Sequence, residues 1–121
     1  MTITFKNIEV TAVPAIDPES GQPYVEVTLN PGVLQVTDPD TIVNYQLVDP
    51  TPADLLFTGL AITPENNQLS APAISTDGRN LTINDINTLR EDFTLVFAFN
   101  GEPAPQPFLR RIPDLENRPD L

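Results

Sequence analysis

The chain predicts an all-β domain, an immunoglobulin-like antiparallel β-sandwich of about seven or more strands. Three observations carry that reading. Fourteen prolines stand against five glycines, and proline, which donates no ladder bond, marks where strands stop. No long segment has the apolar spacing of an amphipathic helix. Instead, short runs alternate apolar and polar residues between turn signals. A partly closed barrel is the alternative architecture. With 121 residues and a hydrophobic fraction of 40%, one domain spans 1–121, and 114–121 reads as a polar tail. A chain of this length buries roughly two-thirds of its unfolded surface.

The elements follow in order. Thr2 to Phe5 and Ile8 to Val13 read as an opening strand. Ile3 and Phe5 share one parity while Ile8, Val10 and Ala12 take the other, which predicts a bulge near Lys6-Asn7. Pro14 to Pro23 is a polar loop. Tyr24 to Leu29 alternates, and Asn30-Pro31-Gly32 is a turn with glycine at a position of positive φ. Val33 to Thr37 then completes a hairpin. Ile42 to Val48 is a strand set between Asp38-Pro39 and Asp49-Pro50. Thr51-Pro52-Ala53-Asp54 has the hydroxyl cap, first-turn proline and acid of a short helix start.

Leu55 to Ile62 reads as a strand interrupted at Gly59. Asp77-Gly78 is a turn before Leu81-Thr82-Ile83, and Asp85 to Asp92 is a connecting turn with a helical twist. The clearest strand is Phe93 to Phe99, with Phe93, Leu95, Phe97 and Phe99 on one face. Each such buried side chain stabilises by about 1.5 to 3 kcal/mol, so this face predicts the centre of the core. Pro107 to Ile112 adds a short strand.

Composition narrows the chemistry. There is no histidine, cysteine or tryptophan, and Lys6 is the one lysine beside five arginines and seventeen carboxylates. A Ser-His-Asp triad, a Cys-His pair and thiolate or histidine metal sites are therefore excluded. The net charge of -11 repels nucleic acid and anionic membrane surfaces. No signal peptide or eighteen-residue apolar run is present, so the expectation is a cytoplasmic protein. Asn80-Leu81-Thr82 matches a glycosylation sequon, without a secretory context. No cofactor, metal or particular partner is expected, and the chain reads as a monomer or a weak homodimer through an edge strand.

Three short stretches stand together: Val36-Thr37-Asp38-Pro39-Asp40-Thr41-Ile42-Val43-Asn44-Tyr45-Gln46-Leu47, Asn100-Gly101-Glu102-Pro103, and Ile112-Pro113-Asp114-Leu115-Glu116-Asn117-Arg118-Pro119. They resemble segments of the small bacterial DP-EP family. The resemblance implies a compact β-sandwich and aspartate-dependent self-cleavage near the C-terminus, after Asp114. It also implies Asp38 and Glu102 as assisting acids. Two departures weaken the implied activity. The family's bond is Asp-Pro, whereas Leu115 follows Asp114 here, and the core strand Thr94-Leu95-Val96-Phe97-Ala98 lacks a lysine able to capture an activated aspartyl group. Lys6 substitutes only if the first strand lies beside the tail.

The chemistry also stands on its own. An aspartate carboxylate reaches its own peptide carbonyl through a five-membered ring, which makes a bimolecular step intramolecular. A second acid sharing a proton with it would split the two pKa values, and the candidates are Asp38, Asp40 and Glu102. As turn residues, Asp38-Pro39 and Glu102-Pro103 simply end strands, and Asp17-Pro18 and Asp49-Pro50 punctuate loops. Asp38, Asp40, Asp85, Asn87, Glu91 and Asp92 offer oxygens for calcium, but not with the spacing of a calcium loop. A glycosidase cleft lacks tryptophan, with only Tyr24 and Tyr45 to stack sugars. Arg110-Arg111 is the one basic pair. Two functions follow: a self-processing, aspartic-peptidase-like domain, or a non-catalytic binding or structural domain.

Overall fold

The computed structural model describes residues 3–100 and 114–120. The strand expected at Pro107–Ile112, the Arg110-Arg111 pair and Glu102 lie outside the described residues. Among those described are nine strands: β1 (Thr4–Ile16), β2 (Pro23–Asn30), β3 (Leu34–Val36), β4 (Thr41–Leu47), β5 (Phe57–Thr63), β6 (Ala73–Ile74), β7 (Asn80–Asp85), β8 (Glu91–Phe99) and β9 (Leu115–Asn117). No helix among them is long and apolar enough to cross a membrane.

The strands form a β-sandwich of two mixed sheets, a five-stranded one ordered β2-β1-β4-β7-β6 and a four-stranded one ordered β3-β9-β8-β5. The sheets are not wholly antiparallel: β1 runs parallel to β4, and β3 parallel to β9. The expected hairpin of β2 and β3 is also corrected. β2 pairs with β1, β3 pairs with β9, and the chain crosses between sheets at residues 30–33. Gly32 does not have positive φ; among the described residues those that do are Gly21, Gly78, Asp40 and Asn87.

β1 is one uninterrupted strand that serves two partners. Residues 4–10 pair with β4, and residues 9–16 pair with β2. Its register with β4 runs without a shift through Lys6 and Asn7, so no bulge forms there. Ile8, Val10 and Ala12 point into the core, while Ile3 and Phe5 remain exposed. The apparent phase change in the sequence is thus an exposed apolar pair on a regular strand.

Thr51 does not start a helix. Its buried hydroxyl accepts the Ala12 N–H at 2.9 Å and lies 3.4 Å from the Val10 carbonyl, to which it donates. It thereby continues the β1 ladder where β4 has ended. The irregularity expected at Gly59 is present, as a register shift between Phe57 and Gly59. The turn at Asp77-Gly78 needs its glycine. Gly78 has φ +72°, and a Cβ there would meet Leu56 Cβ at 2.8 Å. Residues 86–90 form an irregular connection with a bend at Leu89 and no helix, with Asn87 in the left-handed region.

The core forms between the sheets. Phe93, Leu95, Phe97 and Phe99 of β8 are all buried, and β8 is central, between β9 and β5. Phe97 meets Tyr45 of the opposite sheet edge-on at 5.1 Å and Phe57 at 5.5 Å. Such aromatic pairs add about 0.5 to 1.5 kcal/mol beyond the area they bury.

Candidate functional site

The segment read as a polar tail opens with a buried strand. β9 lies between β3 and β8, with Leu115 level with both Leu34 and Phe93. Leu115 and Asn117 are fully buried because they face the core, while Glu116 between them is half-buried. Past the strand, the Arg118 N–H donates to the Val36 carbonyl at 2.8 Å. The Arg118 guanidinium pairs with Asp92 at 2.7 Å and Glu116 at 3.5 Å. Arg90 binds both carboxylate oxygens of Asp120 at 3.0 Å.

Asp114 stands where β9 begins and is only 2% exposed. Its N–H donates to the Phe93 carbonyl at 2.9 Å. Its side-chain Oδ2 accepts the Leu95 N–H at 2.8 Å, so a carboxylate takes a ladder bond that a backbone carbonyl would otherwise make. Its own carbonyl, the one joined to Leu115, accepts the Leu34 N–H at 3.0 Å. Side chain and carbonyl of one residue are therefore fixed by backbone donors of β8 and β3.

Two further titratable groups share this interior. Tyr45 projects from β4 between the sheets with its hydroxyl unpartnered. Burial raises its pKa far above the usual phenol value, and the Asp114 and Asp85 charges raise it further, so it stays neutral. Asp85, at the end of β7, is fully buried. Its Oδ1 accepts the Asn117 side-chain amide at 3.0 Å and the Asn87 N–H at 3.0 Å, while Oδ2 has no partner. Burial pushes its pKa up to about 6, against the downward pull of the bonds from Asn117 and Asn87.

Around Asp85 a polar clasp ties the end of β9 to three other segments. The Gln68 Oε1 accepts the Thr88 and Leu89 N–H groups at 2.8 and 3.1 Å and lies 3.5 Å from the Asn117 amide. The Asn87 amide donates to the Val36 and Asp38 carbonyls, each at 3.1 Å. The sequence does not single out Tyr45, Gln68 or Asn117 for this site, and Asp85 reads there as a turn residue or a calcium ligand. Parity offered the missing signal: Val43, Tyr45 and Leu47 share a face, as do Leu81, Ile83 and Asp85.

The structure does not bring Asp38 to Asp114. In the parallel register of β3 and β9, Leu34 is level with Leu115 and Val36 with Asn117. Asp114 precedes this paired stretch, whereas Asp38 lies past its opposite end, two residues beyond Val36. Asp38 is exposed, and its carboxylate accepts the Thr4 hydroxyl at 3.2 Å. Glu102 lies outside the described residues. Lys6 is exposed on β1, in the five-stranded sheet, whereas β9 is in the other, so the first strand does not lie beside the C-terminal one. Among the described residues no three acids gather as metal ligands.

Fold and site together define a class: a small β-sandwich whose C-terminal strand is inserted into one sheet and starts at a buried, backbone-anchored aspartate. The chain belongs to the DP-EP family, whose sequence model matches residues 2–119. A search of curated proteins gave no match.

Proposed function

We propose that this protein is a self-processing domain in which the Asp114 carboxylate severs its own bond to Leu115. The observation that carries this reading is the double anchorage of Asp114, its carboxylate on the Leu95 N–H and its carbonyl on the Leu34 N–H. A carboxylate oxygen attacks the Asp114 carbonyl carbon and closes a five-membered ring. The carbonyl oxygen gains negative charge, and the Leu34 N–H already donates to it. The C–N bond then breaks, and the Leu115 nitrogen takes a proton from water and leaves as an amine. Water opens the cyclic anhydride, leaving Asp114 with its side-chain carboxyl and a new α-carboxyl. Fixing the attacking and attacked groups in one residue supplies the proximity that favours the ring closure.

Lys6 on the other sheet has no route to the anhydride, so hydrolysis rather than an isopeptide is the product. The severed segment stays in place, because Leu115, Asn117 and Arg118 hold it between β3 and β8. Leucine at 115 makes the reaction slow, since a secondary amide resists ring closure more than the tertiary amide of proline.

The test is Leu115→Pro, at the first residue of a strand, where proline is tolerated. In a variant shown by circular dichroism to be folded, cleavage after Asp114 is expected to run roughly tenfold faster or more, equivalent to a barrier lower by about 1.4 kcal/mol. A folded variant that stays whole sinks the reading. One observation favours the second reading, a non-catalytic structural domain. The Asp114 carboxylate satisfies the Leu95 N–H and so helps to start β9. On that reading Asp114→Ala lowers stability while neither protein is ever cut.

A further inference from the structure

Among the described strands each sheet ends in two edges, and three of the four are protected by charge, proline or shortness. β2 carries Pro23 and Glu26, β3 has three residues, and β6 has two and follows Pro72. Charge, proline and shortness are the usual means of keeping an edge from pairing with another chain. β5 has none of these three, and its one irregularity, the register shift between Phe57 and Gly59, precedes the regular stretch from Leu60 to Thr63. It is seven residues, Phe57-Thr58-Gly59-Leu60-Ala61-Ile62-Thr63, without a charge or a proline. It pairs with β8 on one side, and no described strand pairs with it on the other.

An open cavity of about 380 Å³ lies along this same edge, lined by Leu60 and Ile62 of β5 and by Glu65, Leu69, Ala71 and Pro72. Its far wall is braced. Asn66 Oδ1 accepts the Gln68 and Leu69 N–H groups at 2.9 and 2.8 Å, and its amide donates to the Pro64 carbonyl at 2.9 Å. The cavity falls within the roughly 300 to 1,000 Å³ range of sites that seat a ligand group.

We infer that the β5 edge is a docking site for an extended basic peptide, which adds a strand beside β5 and seats an apolar side chain in the adjoining cavity. Strand addition draws affinity from main-chain bonds and specificity from pockets for alternate side chains. Charge selects the occupant. Glu65 stands on the cavity rim and the chain carries a net charge of -11, so a second copy is repelled and a basic strand is attracted. This inference does not depend on the self-processing reading.

The probe is a capped octapeptide of alternating lysine and valine, titrated into the full ¹⁵N-labelled chain, with a glutamate-valine octapeptide as control. The expected amide shifts concentrate in Thr58–Thr63 and residues 65–72, with the control inert. Ala61→Pro should weaken binding at least tenfold. Ala61→Lys, which sets a like charge on the exposed side of an otherwise unchanged strand, should weaken it severalfold if the proline variant fails to fold. Shifts spread over the acidic surface and indifferent to these variants would overturn the proposal. So would absence of binding at millimolar peptide, or self-association of the chain through β5 in place of peptide binding.

Discussion

Asp85→Asn is expected to stabilise the protein at neutral pH. Asp85 is fully buried, with one carboxylate oxygen unpartnered and a pKa pushed up to about 6 from 3.8. A carboxyl whose pKa is raised in the folded state binds its proton more tightly there than in the unfolded chain. Its contribution is therefore fully present below pH 3.8, is lost as pH rises through about 6, and is absent above that. The loss amounts to about 2 to 3 kcal/mol, since each tenfold difference in proton affinity between the folded and unfolded states is worth about 1.36 kcal/mol. An asparagine carries no charge to bury. It also brings a donor to a cluster in which Asn87 Oδ1 and Asn117 Oδ1 have none. Urea unfolding at pH 7 should show the variant more stable than wild type by about that amount, with the difference shrinking toward pH 4. A difference that is constant with pH would mean that Asp85 does not titrate in this window.

Asn117→Ala should have the opposite effect. The Asn117 amide is one of two donors to Asp85 Oδ1, and its side chain is completely buried at the end of β9. Removing it leaves a buried carboxylate with one donor and opens a cavity, at a cost of about 2 to 4 kcal/mol at pH 7. The pKa of Asp85 rises further, because the bond that opposed the effect of burial is gone. At pH 5, where Asp85 is mostly protonated, the cost should be smaller, since a hydrogen bond to a neutral acid is weaker than one to a carboxylate. Unfolding curves of the variant at the two pH values check this, and equal costs at both would contradict it. Amide exchange of residues 115–118 should speed up first, because the clasp holds that segment.

Some of this architecture was legible in the sequence for a clear reason. The Phe93–Phe99 alternation sits on a strand flanked by two others and buried on one face, so pattern and burial coincide. The β2–β3 separation was not legible, because Asn30-Pro31-Gly32 reads alike whether the chain turns back within a sheet or crosses to the other. β9 is three residues long, too short for its alternation to stand out from the surrounding acids and prolines. At Asp85 the inward parity of Leu81 and Ile83 continues, but a charged residue reads as the end of a strand rather than as a buried member of it. Asp114 came into view only through the family resemblance and the chemistry of aspartyl bonds. The distance between Asp38 and Asp114 depends on the parallel register of β3 and β9, which pairs residues eighty-one positions apart, as in Gln35 with Glu116. No local pattern encodes that register.

Self-processing at Asp114 is tested most directly by intact mass under denaturing conditions, which release a strand that a folded protein would retain. After prolonged incubation of the native protein, the account predicts a growing species that ends at Asp114, a separate peptide from Leu115 to Leu121, and neither product from Asp114→Ala. A single unchanged species at 13.3 kDa, in both the wild type and folded Leu115→Pro, would contradict it.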